Sequence, residues 1–482
     1  SLEWQQWIRA GRFHHGVDIV FGSSFRIHKE IQSHCNSAIC IFRCIIDQLL
    51  ENNLDQLGEK RMMVTHSALP MEFLDIVAIL LALAGVFAFL NHQFLKLPMA
   101  IGVMLIGLVM SIAVLILGSQ VVSVKVAAEE FVASVDFNKT LMNGMLSYLL
   151  FAGALHVNFD DLKKQKWIVS IMASFGVAIS TLVIGSASYF LFKALGIEIH
   201  FMWCLVFGSL ISPTDPVAVL GILKRVGAPK SLETKITGES LFNDGVGVVI
   251  YLALVGMAAA MTGIHLDGHA DNSALSVVKL FAVEAGGGVL LGAALGGLGY
   301  VMLKSIDNYH VEILITVAIV TAGYRLALAM HTSGPLAMVV AGLLTGNPSR
   351  NHAMSDVTRE ALDTFWEMID EILNAVLFLL IGLEILILSF DLSAAIAGVI
   401  MIPVCLLARY GATWIPVQIL KKKKEFSPGV VKILTWGGIR GGISVALALG
   451  IPKDVPGRDT ILLVTYIIVI FSIAVQGLTL KP

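Results

Sequence analysis

From residue 72 onward the chain alternates long apolar runs with short polar interruptions, and keeps doing so to its end. The runs fall at approximately 72–90, 99–117, 139–158, 167–193, 200–222, 235–261, 275–303, 308–328, 333–346, 366–389, 393–419, 430–450 and 459–479. Most are close to the ~20 residues with which a helix crosses the hydrocarbon of a bilayer. The third is diluted by Asn143 and His156, and the ninth has the length of a re-entrant helix. The pattern predicts an all-α integral membrane protein of about 13 transmembrane helices.

Two runs are interrupted where a membrane helix tolerates it least. Ser-Pro-Thr-Asp-Pro occupies 212–216 in the fifth, and Trp-Gly-Gly-Ile-Arg-Gly-Gly occupies 436–442 in the twelfth. Backbone left without hydrogen bonds survives at membrane depth only inside protein or beside a water-filled cavity. Segments one to six and eight to thirteen align as two halves of six, with the seventh as a linker. An odd linker turns the halves to face opposite ways, so the two breaks correspond in an inverted repeat, the mark of a secondary transporter's binding site. The alignment rests on topology and on the breaks, since the halves share no strong residue identity.

Basic residues fix an expected orientation. One set of alternate loops holds Lys96, Lys163, Lys164, Lys166, Lys224, Arg225, Lys230, Lys235, Lys304, Arg350, Arg359 and Lys421 to Lys424. The other set has only Lys125, Arg325, Lys453 and Arg458 among acidic residues. This bias puts the first set and the C-terminus in the cytoplasm, in what is expected to be a bacterial inner (plasma) membrane. Composition agrees: 56% of residues are hydrophobic and 14% charged, against about 25% charged in soluble domains, and mean hydropathy is +0.83.

Residues 1–70 differ, with mixed charge, no spanning run and no signal-peptide pattern. Gly58-Glu59-Lys60-Arg61 is a run that purine-rich codons encode, as in a ribosome-binding site. The expectation is therefore a natural start at Met62, Met63 or Met71, with residues 1–70 non-native or disordered and 71–482 as the transmembrane unit. A soluble or surface-lying extension is the alternative.

The chemistry sits at the breaks and in segment six. Pro213 and Pro216 remove backbone donors and free carbonyls around Thr214 and Asp215, while Gly437, Gly438, Gly441 and Gly442 flank Arg440. In Gly-Glu-Ser-Leu-Phe-Asn-Asp-Gly, residues 238–245, Ser240 and Asp244 share one helix face and Glu239 and Asn243 another. Ser240 and Asp244 offer oxygen ligands to a small alkali cation. Desolvation favours the neutral acid and a bound cation favours the carboxylate, so Asp244 holds a proton or a cation but not both. Reached alternately from each side, one such group gives exchange. Arg440 needs a partner in the membrane, and Glu239 is the expected one, as a structural pair that leaves Asp244 free.

Ser-Pro-Thr-Asp-Pro-Val-Ala-Val-Leu, Gly-Glu-Ser-Leu-Phe-Asn-Asp-Gly, Leu-Asn-Ala-Val-Leu-Phe-Leu-Leu-Ile-Gly-Leu-Glu at 373–384, Trp-Gly-Gly-Ile-Arg-Gly-Gly-Ile-Ser-Val-Ala-Leu-Ala-Leu and the terminal Val-Gln-Gly-Leu-Thr-Leu occur in one order. Together they resemble the sodium/proton exchangers of the monovalent cation:proton antiporter-1 family over residues 72–482. The resemblance implies thirteen spans, a dimerisation domain beside a mobile six-helix core, homodimers, and electroneutral exchange of one Na+ or Li+ for one H+ by an elevator-like movement. It carries ion binding to Thr214, Asp215, Ser240 and Asp244, and structural support to Glu239, Asn243 and Arg440. The Asn243-Asp244 pair is similar to the electroneutral branch, where the electrogenic branch has two aspartates. The implied role is monovalent-cation and pH homeostasis, and no cofactor or nucleic acid is expected.

Rival readings are a K+/H+ antiporter with a looser cage and a cation channel with a continuous pore. An enzyme is disfavoured, because no nucleophile–base set, metal-ligand motif or phosphate loop occurs in the spans or large loops. Gly288, Gly292 and Gly296 make small-xxx-small steps that serve packing within the protomer or a dimer seam. Glu367, Asp370, Glu371 and Asn374 either line a cytoplasmic entrance or form a polar helix start. His265, Asp267, His269 and Asp271 read as a solvated loop rather than a divalent site. Lys421 to Lys424 follow the positive-inside bias and suit anionic lipid.

Overall fold

Residues 73–118, 122–215, 219, 230–264, 274–346, 355–421 and 429–479 are described in the computed structural model. They belong to the unit Met71–Pro482, and every regular element among them is a helix. In chain order these are α1 (Phe73–Leu90), α2 (Met99–Leu117) and α3 (Val122–Ser134). The next, α4, joins Phe137–Thr140 to Leu146–Leu155 through a wide turn at Leu141–Met145. Then follow α5 (Phe159–Ala194), α6 (Phe201–Ile211), α7 (Lys230–Thr262), α8 (Ala274–Lys304), α9 (Tyr309–Ala329) and α10 (Gly334–Leu344). The last are α11 (Asp356–Leu383), α12 (Leu392–Leu420), α13 (Val430–Trp436), α14 (Gly442–Leu449) and α15 (Arg458–Thr479).

Each of the thirteen apolar runs coincides with these helices as far as it is described, the fifth only over α6, since most of its residues after Asp215 lie outside the described ones. Eight described helices are by themselves long and apolar enough to cross a membrane, and α6 and α10 are shorter apolar helices. The hydropathy pattern missed α3, whose Lys125, Glu129 and Glu130 dilute any apolar window. Its Lys125 and Glu129 form an i,i+4 pair at 3.6 Å.

The helices sort into two bundles. In one, α1, α2, α4, α8, α9, α10 and α11 pack on one another, and in the other α5, α6, α7, α12, α13, α14 and α15 do. The bundles touch where α7 meets α8, α10 and α4, where α14 meets α11 and α4, and where α15 meets α2. Gly288, Gly292 and Gly296 of α8 lie directly against Ser333, Ala337 and Leu344, so this stripe of small residues packs on α10 within the protomer. The purpose of the second bundle is visible in its interior. In α7 the side chains of Lys235, Glu239, Ser240, Asn243 and Asp244 are all buried, a polar concentration that an apolar bundle accommodates only with partners in place.

Candidate functional site

The site forms where the two interrupted helices meet. Helix α6 stops at Ile211, and residues 213–215 continue without helical structure. Helix α13 ends at Trp436, capped by Gly437, whose N–H bonds Ile433 O at 2.8 Å, and α14 begins at Gly442. The Asp215 N–H donates across the gap to Ile439 O at 2.7 Å. Each broken segment thereby satisfies part of the other's freed backbone, as the bilayer requires. Pro216 lies outside the described residues.

Arg440 completes the junction. Its guanidinium Nη1 donates to Ser212 O and, at 3.0 Å, to Pro213 O. These carbonyls are left open by the end of α6, so a cation at that helix C-terminus also meets its dipole. The Arg440 N–H donates to Ser472 Oγ at 2.9 Å. Ser472 in turn donates to Gln476 Oε1 at 2.6 Å, and Gln476 Nε2 reaches Trp436 O at 3.0 Å. Ser472–Gln476 form a single wide π-type turn of α15, a local irregularity that recurs at functional sites.

The expected Glu239–Arg440 pair is not the one formed. Glu239 accepts a two-pronged pair of bonds from Arg409, through Arg409 Nη1 to Oε1 and through Nη2 to Oε2 at 2.9 Å. Arg409 Nε also donates to Leu434 O at 3.2 Å. The reason is geometric: Arg440 is turned to the carbonyls of the first break, whereas Arg409, from the face of α12, meets Glu239 in the parallel fork that guanidinium and carboxylate favour. Gly438 makes room for it, since a Cβ there would lie 2.5 Å from Arg409 Nε. The sequence reading passed over Arg409 inside the eleventh apolar run. The signal was present, because an arginine in the middle of such a run needs a partner.

Thr214 is held by α7. Its N–H donates to Asn243 Oδ1 at 3.3 Å, and its hydroxyl receives Asn243 Nδ2 at 2.9 Å and lies 3.0 Å from Ser240 Oγ. Glu239 and Asn243, one turn apart, thus serve different partners. Asp244 is buried on the same helix and Asp215 is half-buried at the break. The two carboxylates lie within electrostatic reach of each other. Gly441 is required beside them, for a Cβ at that position would collide with Asp215 Oδ2 and lie 2.6 Å from its Cβ.

A cavity of about 650 Å³ reaches Asp215, Asp244, Pro213, Gly441 and Gly442. Its wall continues through Asp370 and Asn374 to Glu233, Glu367, Glu371, His156 and Asp161. The acidic middle of α11, rather than a polar helix start, therefore lines the way in. The outer rim belongs to the loop ends near Pro98, Asn158 and Glu233, the same side as Lys96, Lys163 and Lys166. At the other end of α14, Asn138 Nδ2 donates to Ala446 O at 2.6 Å, Tyr251 OH to Leu447 O at 2.7 Å, and Arg458 Nη2 to Leu449 O at 3.1 Å. Asn138 comes from α4, so one of these bonds joins the two bundles. No group of three or more His, Cys, Asp or Glu side chains arranged for a metal ion occurs among the described residues. His265, Asp267, His269 and Asp271 lie outside them, as do Lys422 to Lys424.

Two crossed, interrupted helices beside buried carboxylates at the end of a one-sided cavity define a secondary ion transporter of the antiporter fold. The family model described as the transmembrane sodium/hydrogen exchanger matches residues 77–482. The chain is 45% identical over 416 residues to the Na(+)/H(+) antiporter NhaP of Pseudomonas aeruginosa, covering 85% of this chain and 96% of that one. It is 34% identical over 391 residues to the Na(+)/H(+) antiporter NhaH of Halobacillus aidingensis, with 81% and 92% covered. The fold matches the sodium proton antiporter MjNhaP1 of Methanocaldococcus jannaschii with a TM-score of 0.65 at 18% identity, covering 84% of this chain and 97% of that one. The chain belongs to the sodium/hydrogen exchanger family and is an integral membrane protein.

The buried ion pair has a direct test in detergent-solubilised protein. Arg409→Met strands a buried carboxylate and lowers stability by about 3–5 kcal/mol, read as a loss of folded yield and a drop in thermal midpoint. The double variant Glu239→Leu/Arg409→Met recovers most of that loss. A double variant as unstable as either single variant contradicts the pairing.

Proposed function

We propose that the chain exchanges Na+, or Li+, for H+ across the membrane, one for one and without net charge, by alternating access. The observation that carries this reading is Asp244, a buried carboxylate set beside the Thr214–Ser240 oxygen cluster and open to one side through the cavity. With Glu239 engaged by Arg409, Asp244 and Asp215 are the carboxylates that line the cavity at the junction among the described residues. A proton or a cation can neutralise the buried Asp244 carboxylate, and one replaces the other. The names of the 45% and 34% identical relatives support Na+ as the cation and do not favour K+.

The Asp244 carboxylate, the Ser240 and Thr214 hydroxyls and Asp215 supply the hard oxygens that suit a small alkali cation. Asn243 positions Thr214, and Arg440 neutralises the carbonyls of the first break so that they need no water. Alternating access follows from relative movement of the two bundles: the inner cavity closes and the Asn138–Ala446 bond between bundles opens. By the positive-inside bias, the cavity and the C-terminus face the cytoplasm of a bacterial plasma membrane. Residues 71–482 form the transport unit, with the first bundle as the dimerisation part and the second as the mobile core. Lipids and a second copy of the chain are the expected partners, and no cofactor or catalytic chemistry is involved.

Proteoliposomes with an imposed pH gradient test this directly. Addition of Na+ or Li+ dissipates the gradient in the parent protein and K+ does not. Asp244→Asn abolishes the response while the folded yield is kept. Full exchange by Asp244→Asn moves the carrier role to Asp215, and ion conduction without proton movement makes the protein a channel.

Substitution of the oxygen cage separates binding from turnover. Ser240→Ala removes one ligand and raises the KM for Na+ by about tenfold, the effect of roughly 1.4 kcal/mol of lost binding, while Asp244 still turns over at saturating Na+. An unchanged KM places Ser240 outside the cage.

A further inference from the structure

Arg440 carries a charge that its bonds leave partly unmet. Its side chain serves Ser212 O and Pro213 O through Nη1 alone. A guanidinium also has donors on Nε and on its other terminal nitrogen, and among the described residues Nε and Nη2 of Arg440 reach no acceptor. The residue is 3% exposed, yet neither atom is closed off by protein. Arg440 is absent from the wall of the large cavity. It lines a second one, of about 10 Å³, between α12, α15 and the break that follows α13. That is about the room of one water molecule or one small ion.

Arg409, Gln476, Cys405 and Gly438 share this wall, and the rest is apolar side chains of α12 and α15. The polar side chains offer donors. Arg409 keeps a hydrogen on each terminal nitrogen after its bonds to Glu239. Gln476 has its Oε1 taken by Ser472 and keeps a second hydrogen on Nε2 beside the one given to Trp436 O. Charge points the same way. Arg440 lies within electrostatic reach of both Arg409 and Glu239, whose charges offset each other, and its own side-chain bonds go to neutral carbonyls. Asp215 and Asp244 line the other cavity. A buried charge with no counter-charge is among the costliest groups a membrane bundle can hold. A water molecule in the small cavity would meet its donors and leave the charge unmatched.

We propose that Arg440, Arg409 and Gln476 bind one monoatomic anion, a halide such as chloride, as the counter-ion of Arg440. A polyatomic anion such as sulfate is too large for a cavity of about 10 Å³. The bound halide keeps Arg440 in place on the carbonyls of Ser212 and Pro213, so anion occupancy supports the junction of the two breaks. The inference goes beyond cation exchange and does not depend on which cation is carried.

Halide titration of detergent-solubilised protein is the test, read by thermal midpoint and by equilibrium dialysis with labelled chloride. Gluconate is the replacement anion, so that Na+ and ionic strength stay constant. Chloride and bromide are expected to raise the midpoint saturably, with about one chloride retained per protomer, as for a ligand that binds only the folded state. Sulfate stabilises proteins by exclusion from their surface and is expected to give a rise that does not saturate. Cys405→Asp places a carboxylate in the wall within reach of Arg440. It is expected to abolish chloride retention and to hold the midpoint in gluconate at or above the parent's. Cys405→Ser brings no charge and is expected to retain chloride.

No retained chloride, or the same midpoint in chloride and gluconate, overturns the site and leaves water as its occupant. Chloride retention unchanged in Cys405→Asp places the anion elsewhere and overturns it as well. If Cys405→Asp is not recovered folded, Gln476→Glu supplies the charge from α15 and takes its place, with the same expected and contrary results. Because the readout is anion binding, failure of the exchange reading leaves this test intact, and failure here leaves the exchange reading intact.

Discussion

Two helices end in the middle of a membrane, and the rest of the site depends on how their open backbone groups are satisfied. Each group left unbonded in hydrocarbon costs several kcal/mol. The answer is mutual: the Asp215 N–H goes to Ile439 O, and Arg440 covers the carbonyls of Ser212 and Pro213. Asn243 then takes the Thr214 N–H and hydroxyl. Once these bonds are made, Thr214, Ser240, Asp215 and Asp244 have little freedom in where they sit. A junction assembled for backbone reasons is also a cage of oxygens.

Charge follows the same economy. Glu239 and Arg409 are buried together and joined by two bonds, so neither remains as an open charge in the bundle. Such a pair contributes little net stability, while loss of one partner is strongly destabilising. Its consequence for the site is that Glu239 is withdrawn from ion chemistry. That leaves Asp244 of α7 and Asp215 of the first break as the carboxylates that the cavity reaches at the junction.

Much of this was legible in the sequence, for identifiable reasons. Apolar runs set the helices, because membrane helices must be apolar wherever they face lipid. The proline-flanked Thr214-Asp215 and the glycine-flanked Arg440 exposed the breaks, because nothing else puts those residues at that depth. The acid–arginine pairing was not legible: two buried arginines, Arg409 and Arg440, compete for Glu239 in one dimension, and only the crossing of α12 over α7 decides. Helix α3 was hidden by its charges. The role of Glu367, Asp370 and Glu371 was undecided as well: at the edge of an apolar run they read as a polar helix start, whereas α11 begins at Asp356 and carries them mid-helix into the cavity wall.

The central claim is that one buried carboxylate holds either a proton or a cation. Proton release on cation binding tests it most directly, with no membrane or gradient involved. Na+ added to weakly buffered, detergent-solubilised protein, starting at a pH where Asp244 is protonated, is predicted to release about one H+ per protomer, the linkage expected of a single shared group. The same titration with Asp244→Asn is predicted to release none. Equal proton release from the two proteins, or Na+ binding by the parent with no proton released, would contradict the account.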